Sequence, residues 1–277
     1  MNAAAEKKKI VDVTDLYYDY VLPSQHMVVI QVGGRFSGKS FNEEVRLAMN
    51  LANKKHYKLL VIEDLEGGLS EGFYAGLWDK IELFEQDPIY SSPKKPPRLT
   101  NQINHNKALF KGFATDQQKK AVKALDQVTE IVVEEGEWMT YEDFVALLHQ
   151  LRGPVEKDRK LTILMNPVNP DCFVNEMFIM PDPDKVLEYF PGTKRPKVFE
   201  KIIRTEFEYE GKTYIEETTV LIVLSTHHDN PYLTMAQRAS IEELKVTDPE
   251  KYLQLGQARF IPVSYTHLTL PTTCRVC

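Results

Sequence analysis

The fold is decided by the octapeptide Gly33-Gly34-Arg35-Phe36-Ser37-Gly38-Lys39-Ser40, which follows directly on the apolar run Val28-Val29-Ile30-Gln31-Val32. It matches the pattern G-x-x-x-x-G-K-[ST] at every fixed position. In that pattern, successive backbone N–H groups form an anion-binding concavity, and the following helix directs its positive N-terminus at the same point. The stretch therefore predicts a phosphate-binding loop between a strand and a helix, with nucleotide contacts along the whole octapeptide.

Two side chains of this loop have specific predicted roles. Lys39 is expected to reach the β- and γ-phosphates of ATP, and the Ser40 hydroxyl to ligate Mg²⁺. The alternative is a glycine turn that matches the pattern by chance. A strand before the loop and a helix after it favour the phosphate site.

An acidic segment is expected to complete the site, because Mg²⁺ needs a second protein ligand and the attacking water needs a base. Thr129-Glu130-Ile131-Val132-Val133-Glu134-Glu135 places two glutamates at the carboxyl end of an apolar strand, where open α/β sheets bind ligands. Glu134 is predicted to hold the metal, generally through water, and Glu135 to act on the attacking water. We expect this strand to lie beside the loop's strand, with both facing one Mg²⁺. The alternative is a solvated loop containing Glu134, Glu135 and Glu137.

The periodicity of the chain predicts an α/β protein. Strands are predicted at 28–32, 59–63, 130–133, 161–165 and 219–225, with helices at 39–54, 71–86, 140–151 and 234–245. This alternation indicates a central, mostly parallel sheet with helices on both faces. Proline-rich stretches predict insertions at about 87–110, with a turn at 103–107 joining two short edge strands, and at about 181–218, with a hairpin at 207–214. On the first helix, Phe41, Val45, Ala48 and Leu51 or Ala52 form the stripe expected to pack on the sheet.

Composition sets broad limits. The 277 residues are 43% hydrophobic and 27% charged with a net charge of −6, which argues against disordered, collagen-like and strongly basic nucleic-acid-binding classes. The absence of a long apolar run predicts a cytoplasmic protein. The cysteines, Cys172, Cys274 and Cys277, form neither a disulfide framework nor a complete zinc site. His227, His228 and Asp229 suggest a metal site, but adjacent histidines on an extended strand point to opposite faces, so we predict none.

Four segments together resemble the ATPase domain of phage terminase large subunits, the motors that package double-stranded DNA into procapsids. The loop at 33–40 stands where that family usually has GGRGSGKS, and 131–137 (IVVEEGE) precedes a helix. Residues 161–170 (LTILMNPVNP) are similar to the family's "FNP" coupling segment, and 225–233 (STHHDNPYL) to its "ST..DNP.L". The resemblance covers approximately residues 25–260. It implies a P-loop NTPase of the additional-strand, catalytic-glutamate type.

The resemblance also implies roles for individual residues. Arg35 would stabilise the γ-phosphate, which suits a planar and permanently charged guanidinium. Asn166 would couple the γ-phosphate state to movement, although a simple turn between prolines is an alternative. Gln25 would contact adenine, unless it is an ordinary surface residue.

The implied partners are double-stranded DNA, a portal protein, a small terminase subunit and further copies in a homo-oligomeric ring. The implied location is the host cytoplasm, with transient docking on the procapsid portal. Lys94, Lys95 and Arg98 are candidates for contacts to the DNA backbone, with a solvated loop as the alternative.

Three departures from the family pattern matter. Phe36 replaces a small residue of the loop, and Ile62-Glu63-Asp64-Leu65 stands where many relatives have a basic segment. The family's nuclease half would begin after about Phe260, whereas residues 261–277 resemble translated adaptor sequence. We therefore expect an N-terminal extension at 1–24, an ATPase domain at 25–260, a non-native tail and no DNA cleavage.

Two other functions remain open from the sequence. One is a helicase- or recombinase-like P-loop ATPase that acts on single-stranded DNA. The other is a truncated nucleotide-binding module with little turnover.

Overall fold

A single mixed sheet organises the part of the chain that the computed structural model describes, namely residues 11–64, 72–93, 95–153 and 159–261. Its strands are β1 (Val28–Gly33), β2 (Lys58–Glu63), β3 (Tyr90–Ser91), β4 (Arg98–Asn101), β5 (Lys107–Gly112), β6 (Glu130–Val133), β7 (Lys160–Met165), β8 (Lys185–Tyr189), β9 (Pro196–Tyr209) and β10 (Lys212–Ser225). The helices are α1 (Lys39–Asn53), α2 (Phe73–Leu83), α3 (Asp116–Lys123), α4 (Tyr141–Gln150), α5 (Met235–Glu242), α6 (Leu244–Thr247) and α7 (Pro249–Lys251).

The strand order is β3-β4-β5-β2-β6-β7-β1-β10-β9-β8. The six central strands of this order, β5-β2-β6-β7-β1-β10, pair in parallel. Antiparallel strands extend the sheet at both ends. Parallel strands place their carboxyl ends along one edge of the sheet. The residues that follow β1, β6, β7 and β10 therefore meet at this edge. The predicted α/β class with a mostly parallel sheet is confirmed.

Both faces of the sheet are covered, as predicted. On one face, α1 and α2 contribute Leu47, Leu51, Leu77 and Ile81, which are fully buried. On the other face, α4 and the π-helical turn Asn175–Ile179 after β7 contribute an aromatic and aliphatic core that includes Phe144, Leu147 and Phe178. Nearly continuous apolar strands such as β1 and β7 fit a sheet that is buried on both sides.

Part of the predicted N-terminal extension packs on the domain. Leu16, Tyr17 and Val21, in and beside a π-helical turn at Tyr17–Val21, are buried against Val29, Leu221 and their neighbours on β1, β9 and β10. Burial of these apolar side chains stabilises the fold. Residues 1–10 and the predicted tail from 262 onward, with Cys274 and Cys277, lie outside the described residues.

Two local predictions need correction, and a third, the hairpin at 207–214, is confirmed with longer strands than expected. The turn at 103–107 joins β4 to β5, but β5 is not an edge strand, because it also pairs with β2, and Ala108 and Phe110 are buried. The predicted hairpin at 207–214 is the tip of the much longer β9–β10 pair, whose register runs from Lys212–Tyr209 to Val223–Val198. Phe41 is 43% exposed, since it lies in the first turn of α1 under the Lys80 ammonium rather than on the sheet.

No helix among the described residues combines the length and the apolar character that crossing a membrane would require.

Candidate active site

The phosphate loop joins β1 to α1 at the carboxyl edge of the sheet, which confirms the predicted strand–loop–helix arrangement. Gly38 precedes the helix with a φ of 87°, a left-handed conformation that glycine adopts without a steric penalty. The end of β10 holds the other side of the loop, because the Gly34 N–H donates to the Ser225 carbonyl at 3.1 Å. The Asn230 amide then donates to the Phe36 carbonyl at 2.9 Å.

Position 34 requires glycine, because the backbone of another segment passes too close to leave room for a side chain. A Cβ at this position would lie 1.8 Å from the carbonyl oxygen of Leu255, in the π-helical turn Tyr252–Gly256. A separation this short is far inside van der Waals contact, so either the turn or the loop would have to move. The phosphate loop is therefore packed directly beneath the last described helical turns.

Phe36 occupies a strained position in the loop. Its φ is 65°, in the left-handed region where a bulky side chain is costly and glycine is not. The Arg35 guanidinium lies 5.3 Å from the centre of the Phe36 ring, within the range of a cation–π contact. The departure from the family's small residue therefore gives Arg35, which is exposed, a partner within the loop.

Lys39 meets Asn166 directly. Its ammonium donates to the Asn166 side-chain oxygen at 2.9 Å, although the two residues are 127 positions apart in the sequence. The contact forms because Asn166 follows β7, which lies beside β1 in the sheet. Burial lowers the pKa of Lys39, and the nearby carboxylates of Glu134, Glu137 and Glu135 oppose that shift. An anionic phosphate would favour the charged lysine in the same way.

Ser40 and Glu134 are also in contact. The Ser40 hydroxyl donates to Glu134 Oε1 at 2.9 Å, while Glu134 Oε2 is enclosed and has no hydrogen-bond partner among the described residues. Burial raises the pKa of Glu134 to about 7, against the opposing effects of Lys39 and Ser40. Carboxylate and hydroxyl oxygens are the hard ligands that Mg²⁺ prefers, and a cation would satisfy the unpaired oxygen. The two residues therefore fit the predicted metal site.

The acidic strand is not the neighbour of the loop's strand, contrary to our expectation. β7 lies between β6 and β1, so one strand separates Glu134 from the phosphate loop. The side chains nevertheless meet, because Ser40 lies on the first turn of α1, beyond the end of the sheet. This inserted strand is the additional strand of the predicted fold type.

The loop after β6 is not uniformly solvated. Glu135 is exposed and has a left-handed φ of 51° at the start of a 3₁₀ turn, Gly136–Trp138. Glu137 is partly buried, and its Oε2 has no hydrogen-bond partner among the described residues. Burial raises the pKa of Glu137, opposed in part by a hydrogen bond from the backbone of Asn166. Glu137 is therefore a second acidic group at the site, which the sequence pattern did not single out.

Gln25 is not brought to the loop. It precedes β1, whereas the loop follows that strand, and the strand's rise of about 3.3 Å per residue separates the two by roughly 20 Å. Its amide donates to the carbonyl of Pro23 on the exposed surface. Contact of Gln25 with adenine thus has no support from its position.

The candidate DNA contacts stay predictions. Lys94 lies outside the described residues. Lys95 and Arg98 are exposed near the start of β4, toward the end of the sheet formed by β3.

The sequence patterns did not identify two residues that hold the site in place. Asn230, in the "DNP" segment, donates a hydrogen bond to the Phe36 carbonyl of the phosphate loop. Thr14, ahead of the first strand, accepts a 2.8 Å hydrogen bond from the amide of Asn42 on α1 and lies beside Gly38. The resemblance at 225–233 could have indicated Asn230, but nothing in the local pattern indicated Thr14.

A buried ionic cluster fixes α1 against β6, beneath the site. The Arg46 guanidinium contacts the carboxylates of Glu43 and Glu130, both fully buried. Further hydrogen bonds to this cluster come from Tyr17, Gln31, Asn50 and Tyr57. Burial alone would raise the pKa of Glu130, but the charge and hydrogen bonds of Arg46 outweigh it, so this pKa lies below its usual value.

A phosphate loop lies between a strand and a helix, and one further strand separates the loop's strand from the acidic strand. This arrangement defines an α/β P-loop NTPase of the additional-strand class. A family model described as "Phage terminase large subunit" matches residues 25–256. The chain belongs to this family.

Two relatives from Bacillus and its phages are similar in sequence. The PBSX phage terminase large subunit of Bacillus subtilis (strain 168) is 24% identical over 251 residues, covering 91% of this chain and 53% of the relative. The terminase large subunit of Bacillus phage SPP1 is 24% identical over 242 residues, covering 86% of this chain and 50% of the relative. The chain thus spans about half the length of these curated relatives.

Solved structures show the same fold. A large terminase from a thermophilic bacteriophage, determined in complex with ADP, matches with a TM-score of 0.62 and 12% identity, over 90% of this chain and 54% of the other. The large terminase ATPase domain of Thermus phage P74-26 matches with a TM-score of 0.57 and 15% identity, over 86% of this chain and 90% of the other. The fold of this chain is therefore that of the ATPase domains of large terminases.

Proposed function

We propose that this chain hydrolyses ATP with Mg²⁺ to drive the packaging of double-stranded phage DNA into a procapsid. The observation that carries the proposal is the pair of contacts Lys39–Asn166 and Ser40–Glu134, which joins the phosphate loop to the proposed coupling residue and the proposed metal ligand. The proposed setting is a homo-oligomeric ring on a portal protein in the host cytoplasm, with a small terminase subunit and with backbone contacts to DNA from Lys94, Lys95 and Arg98.

Each residue of the site has a proposed part in hydrolysis. Ser40 and Glu134 would hold Mg²⁺, which neutralises charge on the β- and γ-phosphates when bound. Glu135 accepts the proton of the attacking water, and its exposed position leaves it accessible to water. Arg35 neutralises charge that develops on the transferred phosphoryl group.

Asn166 is proposed to report the phosphate state through Lys39. Its side-chain oxygen accepts from the Lys39 ammonium when no phosphate competes for that donor. A γ-phosphate, being anionic, is a stronger acceptor than a neutral amide oxygen. Occupation of the site would therefore weaken the bond between α1 and the end of β7, and product release would restore it.

The experiment that tests this function compares ATP hydrolysis by the full chain alone, with duplex DNA and with single-stranded DNA of equal nucleotide content. We expect duplex DNA to stimulate hydrolysis more, and Lys39→Ala to abolish it under all three conditions. Equal or greater stimulation by single strands would support a helicase- or recombinase-like ATPase instead. Nucleotide binding with negligible turnover under every condition would identify a binding module.

The raised pKa of Glu134 predicts a pH dependence of Mg²⁺-assisted nucleotide binding. Protons and Mg²⁺ compete for the same carboxylate, whose pKa is about 7. Below that pH the carboxyl group is mostly protonated. As the pH rises toward 7, the gain in nucleotide affinity on adding Mg²⁺ should therefore grow by up to about tenfold per pH unit, and above pH 7 it should level off. Titration of a fluorescent ATP analogue with and without Mg²⁺, at a series of pH values, measures this gain.

The matched variant is Glu134→Gln, which keeps the shape of the side chain and cannot titrate. Because the nucleotide phosphates titrate in the same range, only the difference between the two proteins reports on Glu134. The same pH profile in both would show that this carboxylate does not bind the ion.

A further inference from the structure

The turn after β10 brings two histidines together, which corrects the prediction that they diverge. Residues His227–Asp229 form a 3₁₀ turn capped by Thr226, rather than an extended strand. On this tighter backbone the rings of His227 and His228 lie on the same side, with their centroids 3.9 Å apart. Asp229 is directed elsewhere, since its carboxylate accepts from the Thr226 backbone and contacts Lys197.

A carboxylate from α5 completes a three-donor cluster. Glu242 Oε1 lies 2.8 Å from His227 Nε2 and 3.6 Å from His228 Nε2, and the three donor atoms all lie within 4.8 Å of one another. Donors around tetrahedral Zn²⁺, with metal bonds of about 2.0–2.1 Å, are roughly 3.3 Å apart. The two measured separations bracket that value, so a small adjustment of side chains would accommodate an ion.

The surroundings favour coordination by this set. His227 is 1% exposed, and its Nε2 is the nitrogen that contacts Glu242, while its Nδ1 has no hydrogen-bond partner among the described residues. Lys245 contacts the other oxygen of Glu242, which leaves Oε1 facing the imidazoles. His228 is largely exposed, which provides an entry path and room for a water as fourth ligand. Burial and the neighbouring His227 lower the pKa of His228, which favours the neutral, coordinating imidazole.

We propose that His227, His228 and Glu242 form a binding site for a divalent transition-metal ion, with Zn²⁺ the best match to two imidazoles and one carboxylate. The site is distinct from Ser40 and Glu134, whose oxygen donors suit Mg²⁺. It fastens the turn after β10 to the end of α5. The same turn leads to Asn230, which bonds the Phe36 carbonyl, so the ion would brace the phosphate loop from outside the nucleotide site.

Metal titration of the untagged full chain tests the proposal without nucleotide, and therefore independently of the proposed ATPase function. Cys274 and Cys277 are replaced by serine beforehand, because a terminal C-x-x-C could bind zinc by itself. After removal of metal with a chelator, Zn²⁺ binding is followed by calorimetry and Co²⁺ binding by visible absorption. We expect one equivalent to bind, and Zn²⁺ to raise the thermal unfolding midpoint.

The variants separate this cluster from other metal-binding groups. His228→Ala and Glu242→Gln should each weaken binding by about tenfold or more, and should remove the stabilisation by Zn²⁺. His149→Ala, at an exposed histidine on α4, should bind as the parent does. His228 is itself exposed, so its alanine variant is expected to fold, as circular dichroism would check.

Two outcomes would overturn the proposal. One is the absence of saturable Zn²⁺ binding to the parent protein. The other is unchanged affinity and stoichiometry in His228→Ala, which would place the ion elsewhere on the chain.

Discussion

Glu135→Gln should lower the steady-state rate of ATP hydrolysis by about 10²- to 10⁴-fold while ATP still binds, since loss of a general base has an effect of this size. The amide keeps the size of the side chain but cannot accept the proton of the attacking water. Phosphate release gives the rate, and titration with a fluorescent nucleotide gives the affinity. Lys39→Ala should also abolish hydrolysis, but with weaker binding, because Lys39 is the proposed contact to the phosphates.

Glu137→Gln is the matched control for this assignment. Glu137 lies two residues further along the same loop and is partly buried. We expect it to keep more activity than Glu135→Gln, because Glu137 is partly buried and less accessible to the attacking water than the exposed Glu135. If Glu135→Gln hydrolysed ATP at the parent rate and Glu137→Gln did not, the base would be Glu137.

Arg46→Met should destabilise the domain by about 3–5 kcal/mol, since removal of one partner leaves uncompensated buried charge. Arg46 contacts both Glu43 and Glu130, whose side chains are 0% exposed. Without the guanidinium, the two carboxylates must take up protons or admit water. Urea unfolding followed by circular dichroism measures the change in the free energy of unfolding.

Arg204→Met tests whether burial, rather than arginine itself, is responsible. Arg204 pairs with Glu217 on the β9–β10 hairpin with both side chains more than half exposed, and such a pair contributes about 0–1 kcal/mol. A second test combines Arg46→Met with Glu43→Gln and Glu130→Gln, which removes the stranded charges and should recover part of the lost stability. Equal effects of Arg46→Met and Arg204→Met would contradict the proposed role of the buried cluster.

The sequence was sufficient to predict the phosphate loop and the acidic strand, because phosphate and Mg²⁺ demand particular residue types at fixed spacings. In the structure Lys39 contacts Asn166 and Ser40 contacts Glu134, while their roles toward phosphate and Mg²⁺ stay predictions. The spatial order of the strands is a long-range property, and the local pattern does not contain it. Adjacency of β1 and β6 was therefore a wrong expectation, although the implied fold type included an additional strand.

Residues that depend on local backbone geometry were the harder ones to predict. Residues 227–229 were interpreted as extended, and only the 3₁₀ turn brings His227 and His228 to one side. Glu137 is the third glutamate of one acidic run, and the local pattern did not indicate that it would be partly buried within the 3₁₀ turn Gly136–Trp138. Gln25 is close to the phosphate loop along the chain, but in the structure the length of β1 lies between them.

The contact between Gly34 and the Leu255 carbonyl has a mechanical consequence. No side chain separates the two backbones at this point, so the loop and the turn Tyr252–Gly256 are in direct backbone contact. Arg195, just before β9, donates to the carbonyls of Gln257 and Ala258, and so fastens the next residues to the far end of the sheet. A rearrangement of the loop on binding nucleotide would therefore displace this turn, and through Arg195 it would act on the start of β9.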